Sequence, residues 1–167
     1  MRNTKYTLNE SECNVATNHG LSRYFNNREK GTNNQSHKVG NHPIFKEVDG
    51  VGGEIAVAKF FNVFPDIDPT PRSGGCDLVT KTGVRVEVKT TDYAKGRLIA
   101  QKWKEEQKCS DIYVLVIGTL PTFKIIGWIA SEDLLLDENV KTELSGECYS
   151  VTQDKLKPMT DIPVVKK

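Results

Sequence analysis

The side chains best suited to chemistry in this sequence are Asp77, Glu87 and Lys89. Residues 84–89 read V-R-V-E-V-K, and the side-chain period of two in a β-strand puts the valines on one face and the charged groups on the other. A Lys-Thr-Gly turn at 81–83 lets the preceding residues pair back antiparallel, which brings Asp77 near Glu87. We therefore predict that two carboxylates and an ammonium meet at one place on a β-hairpin.

Two carboxylates and an ammonium at one place could hydrolyse a phosphodiester bond with the help of a metal ion. Carboxylate oxygens are hard ligands suited to Mg²⁺, which keeps several waters and needs only one or two protein carboxylates. A bound metal stabilises charge on the scissile phosphate and makes a coordinated water nucleophilic at neutral pH. Lys89 would hold or help deprotonate that water, or neutralise the phosphate. The alternative is that Glu87 and Lys89 are solvated partners on an exposed strand, which is the commonest use of a Glu-x-Lys triplet.

Length and composition set the outer limits. A chain of 167 residues suits one domain with a modest appendage. Neither an apolar run long enough for a membrane span nor a signal-peptide core is visible, so we expect an intracellular protein with no membrane partner. The net charge is only +1, so a nucleic-acid role must rest on local basic patches. The four cysteines lack the spacing of a zinc or iron-sulfur site.

The first 42 residues are polar and hold too few apolar side chains for a core of their own. We predict either a flexible arm or a segment that lies across the domain, anchored by a short helix at Leu21, Tyr24 and Phe25. Basic residues outnumber the one nearby acid, so this arm either contacts DNA or is a solvated tail. The domain proper is predicted to span residues 43–167. The basic residues concerned are Arg23, Arg28, Lys30 and Lys38.

A glutamate on the first predicted helix is a further candidate. Val51, Ile55 and Ala58 share one side of this helix, and Glu54 lies at the edge of that apolar stripe. A carboxylate in such a place is costly unless it is paired or binds a metal. Glycines at positions 50, 52 and 53 let the backbone approach another element or a phosphate. The alternative is a partly exposed residue beside a loose helix start.

The remaining elements predict an α/β fold. We expect a helix over 92–108, a central strand at 112–117 that is apolar on both faces, and a parallel right-handed crossover between the hairpin and that strand. Another strand at 123–129, a short helix from 131 to 136 and a last extended piece at 149–151 follow. The predicted architecture is a mixed central sheet flanked by helices.

Together these residues resemble the PD-(D/E)XK nuclease superfamily, which has the restriction-endonuclease-like fold. The resemblance rests on Glu54 in the first helix, Asp77 on the second strand and the Glu-Val-Lys triplet at 87–89. The sequence R-S-G-G-C-D-L around Asp77 is similar to that of the Holliday junction resolvase branch and of small phage nucleases. The resemblance covers roughly residues 48–129, and it departs from the family name at Cys76, where proline is expected.

The resemblance implies a Mg²⁺-dependent DNA endonuclease in which Mn²⁺ substitutes, with branched DNA as one preferred substrate. Asp77 and Glu87 would bind the metal, Glu54 would be an additional ligand or orient the water, and Lys89 would be the catalytic lysine. Gln101 resembles a glutamine that some members use near the site. A catalytically weak DNA-binding or assembly module on the same fold and a restriction-type endonuclease are the alternatives, and a homodimer is left open.

Basic residues in or shortly after the site segment are expected to form a rim that binds DNA phosphates around the acidic centre. Ser73, in the Ser-Gly-Gly stretch that leads into the hairpin, is a candidate for supporting the site. The residues of the predicted rim are Arg72, Arg85, Lys95, Arg97, Lys102 and Lys104.

Overall fold

The computed structural model describes residues 4–29, 42–68, 75–102, 110–142 and 146–162 of the chain. In that part of the chain, helices and two β-sheets form a mixed α/β fold, which confirms the predicted class. No helix among these residues is long and apolar enough to cross a membrane.

Eight strands build the two sheets. Five of them form the central sheet, in which the third and fifth strands pair in parallel and every other neighbouring pair is antiparallel. The predicted parallel relation between the hairpin strand β3 and the central strand β5 is therefore confirmed. In chain order the strands are β1 (Thr4–Thr7), β2 (Leu78–Val79), β3 (Arg85–Thr91), β4 (Leu98–Gln101), β5 (Ile112–Thr119), β6 (Thr122–Ala130), β7 (Val140–Lys141) and β8 (Cys148–Val151). The central sheet has the order β1-β6-β5-β3-β2, and the smaller sheet has the order β4-β8-β7.

Strand β5 is shared by two hydrophobic cores, because both of its faces are covered. Ile112, Val114 and Val116 pack in one core with the main helices, whereas Tyr113 and Leu115 pack in the other with the smaller sheet. The prediction of a central strand that is apolar on both faces is confirmed. The predicted covering by helices holds for one face only, since the other face is covered mainly by β4, β8 and β7.

The helix predicted over 92–108 is wrong at residues 98–101, which form β4. Leu98 and Ala100 are buried while Ile99 is exposed, so burial follows the period of two that a strand requires. The backbone of β4 is paired antiparallel with β8, with Gln101 opposite Cys148. Gln101 is therefore a strand residue and not the helix residue that was predicted. Residues 92–97 are not helical either, and residues 103–108 of the predicted helix lie outside the described residues.

The amino-terminal segment is not a flexible arm over residues 4–29, and the predicted boundary at 42 does not separate it from the domain. Strand β1 is an edge strand of the central sheet and pairs with β6. The chain then forms α1 (Glu10–Glu29), which packs along α2 (Pro43–Phe61). This outcome corresponds to the second alternative, a segment lying across the domain, but with a much longer helix than the anchor predicted.

Local sequence explains how α1 starts and why it packs closely. Asn9 Oδ1 accepts from the Glu12 amide at 2.9 Å and Glu12 Oε2 accepts from the Asn9 amide at 2.8 Å, which is a reciprocal capping box. Along the helix Ala16, Gly20 and Tyr24 are buried at a spacing of four. A Cβ atom on Gly20 would lie 2.6 Å from Val48 Cα, so the close approach of α2 requires glycine there.

Helix α2 begins earlier than the glycines suggested. Pro43 occupies its first turn, where proline costs no hydrogen bond, and the helix ends at Asn62 in the left-handed conformation. Val51, Ile55 and Ala58 are buried, as predicted.

The last elements are close to their predicted positions. Strands β6 and β8 are confirmed, and α3 (Ser131–Leu134) ends two residues before the predicted limit. Ala130 and not Ser131 is the cap residue of this helix, and the Ser131 hydroxyl donates to the Ser110 carbonyl.

The glycines of α2 supply a matched pair of substitutions. A Cβ on Gly52 would overlap the buried ring of Phe123, whereas a Cβ on Gly50 meets nothing within 4 Å. Gly52→Ala should lower the free energy of unfolding by up to about 2 kcal/mol, since an overpacking cost of about 1–3 kcal/mol outweighs a helix-propensity gain of about 1 kcal/mol. Gly50→Ala should raise it by about 0.5–1 kcal/mol. Urea denaturation followed by circular dichroism measures both, and equal stabilisation by the two variants would contradict this packing of α2 on β6.

Candidate functional site

The hairpin brings the first two candidate residues close together. Leu78 pairs with Val86, and Asp77 directly precedes Leu78 while Glu87 directly follows Val86. The Asp77 amide donates to the Val86 carbonyl at 3.0 Å, and Asp77 Oδ2 accepts from the Val88 amide at 2.7 Å. The Asp77 carboxylate thus satisfies a β3 amide just beyond the end of the two-residue strand β2. The predicted antiparallel hairpin is confirmed.

Glu87 and Lys89 are not solvated partners on an exposed strand. Glu87 is only 3% exposed, although it lies on the face of β3 opposite the buried valines. Lys89 Nζ donates to Glu87 Oε1 at 2.9 Å and lies 6.0 Å from the centre of the Tyr113 ring. The charged face of β3 is therefore enclosed beside the second core.

Glu54 joins this group from α2 and is held by a residue that the sequence did not identify as part of the site. Its two carboxylate oxygens accept hydrogen bonds from Arg23 Nη1 at 2.6 Å and Arg23 Nη2 at 2.9 Å. Glu54 is 7% exposed, and the Arg23 side chain is 23% exposed. The neighbouring Gly53 allows α2 to touch β3, because a Cβ there would collide with the Thr90 hydroxyl. The sequence predicted that Glu54 needs either a charged partner or a metal. In this structure its partner is Arg23.

The carboxylates of Asp77, Glu54 and Glu87 lie close enough together for their charges to raise the pKa of Asp77 and of Glu54. Burial, followed by the charges of Glu54 and Glu87, holds the pKa of Asp77 well above its ordinary range. Burial also raises the pKa of Glu54, even though the Arg23 guanidinium opposes that shift. Among the described residues, Arg23 pairs with Glu54 and Lys89 pairs with Glu87, and a bound cation would relieve the remaining repulsion between the carboxylates.

The carboxylate oxygens of the site determine which metal ion it could hold. Among the residues described, no group of three or more His, Cys, Asp and Glu side chains is arranged to hold a metal. Mg²⁺ requires fewer protein ligands, and the oxygens of the neighbouring Asp77 and Glu87 fit its chemistry. The two bonds from Arg23 take one lone pair on each oxygen of Glu54 and bring a positive charge next to it, so the geometry favours the other predicted role of Glu54, orienting a water.

Two members of the predicted basic rim are engaged in ion pairs. Arg85 Nη2 lies 2.6 Å from Asp111 Oδ1, and the Arg85 Nε atom donates to Asp111 Oδ2 at 3.1 Å. Lys102 Nζ lies 3.2 Å from Glu147 Oε2. Contact with a phosphate by either residue would compete with these carboxylates.

The other rim residues divide by whether the structure describes them. Lys95 and Arg97 are exposed in the connection between β3 and β4. Arg72, Lys104 and the support candidate Ser73 lie outside the described residues. The DNA-binding rim stays a prediction.

The crowding of carboxylates predicts an unusual pH dependence of stability. The folded protein keeps a proton on Asp77 at pH values where the unfolded chain, with an ordinary value of 3.8, has lost it. Stability should therefore fall as the pH rises from about 4 through the raised pKa of Asp77. Asp77→Asn should remove much of this decline and stabilise the metal-free protein at pH 7, because the asparagine side chain carries no charge among the other carboxylates.

Thermal unfolding in EDTA between pH 4 and pH 8 measures this difference. Asp133→Asn is the matched control, because that carboxylate is an exposed partner of Lys157. If the melting temperature changes with pH in the same way for the wild type and for Asp77→Asn, the pKa of Asp77 is not raised in the folded protein.

Comparison with known proteins identifies a family for this chain but no biochemical activity. The model of the family DUF5843, described as a family of unknown function, matches residues 2–119. That span contains Arg23, Glu54 and the hairpin that carries Asp77 and Glu87. No curated protein and no solved structure shows a significant match. Because the match covers well over half of the 167 residues, the chain belongs to the DUF5843 family.

Proposed function

We propose that this protein is a Mg²⁺-dependent DNA endonuclease with a restriction-endonuclease-like core. The observation that carries the proposal is the convergence of Asp77 with the buried Glu87 on one hairpin, with the Lys89 ammonium 2.9 Å from Glu87. The parallel pairing of β5 with β3 and the location of Glu54 on α2 support the proposal, because the resemblance to PD-(D/E)XK nucleases leads us to expect both. A purely structural role does not account for a group of carboxylates whose crowding raises the pKa of both Glu54 and Asp77.

Each residue of the group would have a distinct task in phosphodiester hydrolysis. Asp77 and Glu87 would hold Mg²⁺, which supplies charge stabilisation at the phosphate and lowers the pKa of a bound water. Lys89, whose ammonium donates to Glu87, would hold the attacking water in place and neutralise charge on the phosphate. Glu54, fixed by its own ion pair, would orient that water. Water adds across one P–O bond, so one product carries the phosphate and the other a hydroxyl.

DNA is proposed as the substrate because of the resemblance and because basic residues flank the site in sequence. Lys95 and Arg97 are the rim residues that the structure describes as exposed outside the ion pairs given above. With a net charge of +1, binding would depend on such local contacts, and affinity would fall as salt increases. Branched DNA remains the preferred class by resemblance to the resolvase branch.

One observation favours a second candidate, a DNA-binding or assembly module with weak activity. The described residues hold no group of three metal-ligating side chains, and the third carboxylate, Glu54, is occupied by Arg23. In that case the carboxylate pair would be too poor a metal site for turnover. Both candidates predict DNA binding, and cleavage separates them.

Cleavage should require both carboxylates of the hairpin. Asp77→Asn and Glu87→Gln should each reduce cleavage of supercoiled plasmid and four-way-junction DNA below detection, because both carboxylates would hold the metal. DNA binding should survive or tighten, since a negative charge near the phosphate is lost. Gel assays in Mg²⁺ and in EDTA measure cleavage, and fluorescence anisotropy measures binding.

The control variant is again Asp133→Asn, which should cleave as the wild type does. Lys89→Ala should keep metal binding and lose cleavage by on the order of 10²-fold or more. Full turnover by Asp77→Asn or Glu87→Gln, or undiminished cleavage in EDTA, would rule out the assignment. DNA binding by a wild type that never cleaves would favour the second candidate.

A further inference from the structure

We propose that Arg23, on the amino-terminal helix α1, is a positioning residue of the catalytic centre that fixes Glu54 against the hairpin carboxylates. The inference rests on the proposed nuclease function and extends it to a helix outside the resemblance. It identifies α1 as part of the catalytic unit and not as an appendage. The contact that carries it is the two-point ion pair between Arg23 and Glu54, whose residues are 31 positions apart.

The geometry of the pair fixes orientation as well as charge. Two parallel N–H···O bonds, at 2.6 Å and 2.9 Å, hold both oxygens of Glu54, so the carboxylate cannot rotate freely. The backbone beneath it is fixed too, because Gly53 is pressed against Thr90 of β3. A carboxylate held at both ends in this way can present a defined edge to a water beside Asp77 and Glu87.

The charge of Arg23 acts on more than its direct partner. Asp77 is among the carboxylates whose charge stabilises the Arg23 cation, as is Glu47. The guanidinium therefore lies within electrostatic range of the hairpin site. Only two of its five N–H groups are used by Glu54, and the side chain keeps 23% of its surface exposed. A phosphate entering the acidic centre would meet this positive charge from the α1 side.

A role in fold stability alone is a weak explanation of the pair. Removing two charges from water offsets most of their mutual attraction, so a buried ion pair contributes little stability compared with apolar packing. The same two helices are joined elsewhere by a second ion pair, Lys59 Nζ to Glu12 Oε1 at 2.7 Å, which is more exposed and lies at the other end of α1. That second pair provides an internal control for a purely structural bridge.

Steady-state cleavage of plasmid and junction DNA in Mg²⁺ tests the proposal with the full chain. Arg23→Gln should lower kcat by on the order of 10- to 100-fold with a smaller change in KM, the usual loss when a supporting partner of a site residue is removed. Arg23→Lys should recover part of kcat, because it restores the charge but not the two-point contact. Lys59→Gln should leave kcat and KM unchanged.

The double variant Arg23→Gln/Glu54→Gln separates positioning from folding. It leaves no unpaired buried charge, so its melting temperature should equal or exceed that of Arg23→Gln, while its kcat stays low. A folded double variant that cleaves at the wild-type rate would overturn the proposal and leave the nuclease function standing. A wild-type protein that cleaves neither DNA would instead overturn the proposed function, and the positioning role with it.

Discussion

The mutual repulsion of Asp77, Glu87 and Glu54 in a largely dehydrated place is the constraint on which the rest of this structure depends. Each carboxylate costs free energy to bury in its charged form, and each raises the cost for the others. Two cations from different elements, Arg23 of α1 and Lys89 of β3, lower that cost. Since no local sequence feature would hold such a group together, the tertiary fold must bring the charges together and keep them there.

The fold does so by anchoring β3 on both faces. Its valines lie in the core shared with α2, while Glu87 and Lys89 lie on the other face, beside Tyr113 of the second core. The two-residue length of β2 leaves Asp77 free to cover the Val88 amide with its carboxylate instead of extending the ladder. The fold thus carries a locally unfavourable cluster, which packing elsewhere in the structure must offset.

The hairpin could be predicted from sequence because alternation and a turn are local signals, and the closeness of Asp77 to Glu87 followed from them. Helix α1 could not, because its buried face includes His19 and Gly20 beside Ala16 and Tyr24, so apolar periodicity is lost. Its capping box at residues 9–12 was the available signal. The pairing of Glu54 with Arg23 could not be predicted either, because two residues 31 positions apart form no local sequence pattern. The sequence predicted helix at strand β4, because four residues are too few for the spacing of apolar side chains to distinguish a helix from a strand.

The raised pKa of Asp77 is tested most directly by carboxyl ¹³C NMR titration of the protein. The signal of Asp77 is assigned as the one that disappears in Asp77→Asn. Without divalent cation, its pKa should lie well above the ordinary Asp value of 3.8. Saturating Mg²⁺ should lower that pKa, because a cation held by Asp77 and Glu87 favours the ionised form. An Asp77 that titrates in the ordinary range, or whose titration Mg²⁺ leaves unchanged, would contradict a cation-binding carboxylate centre.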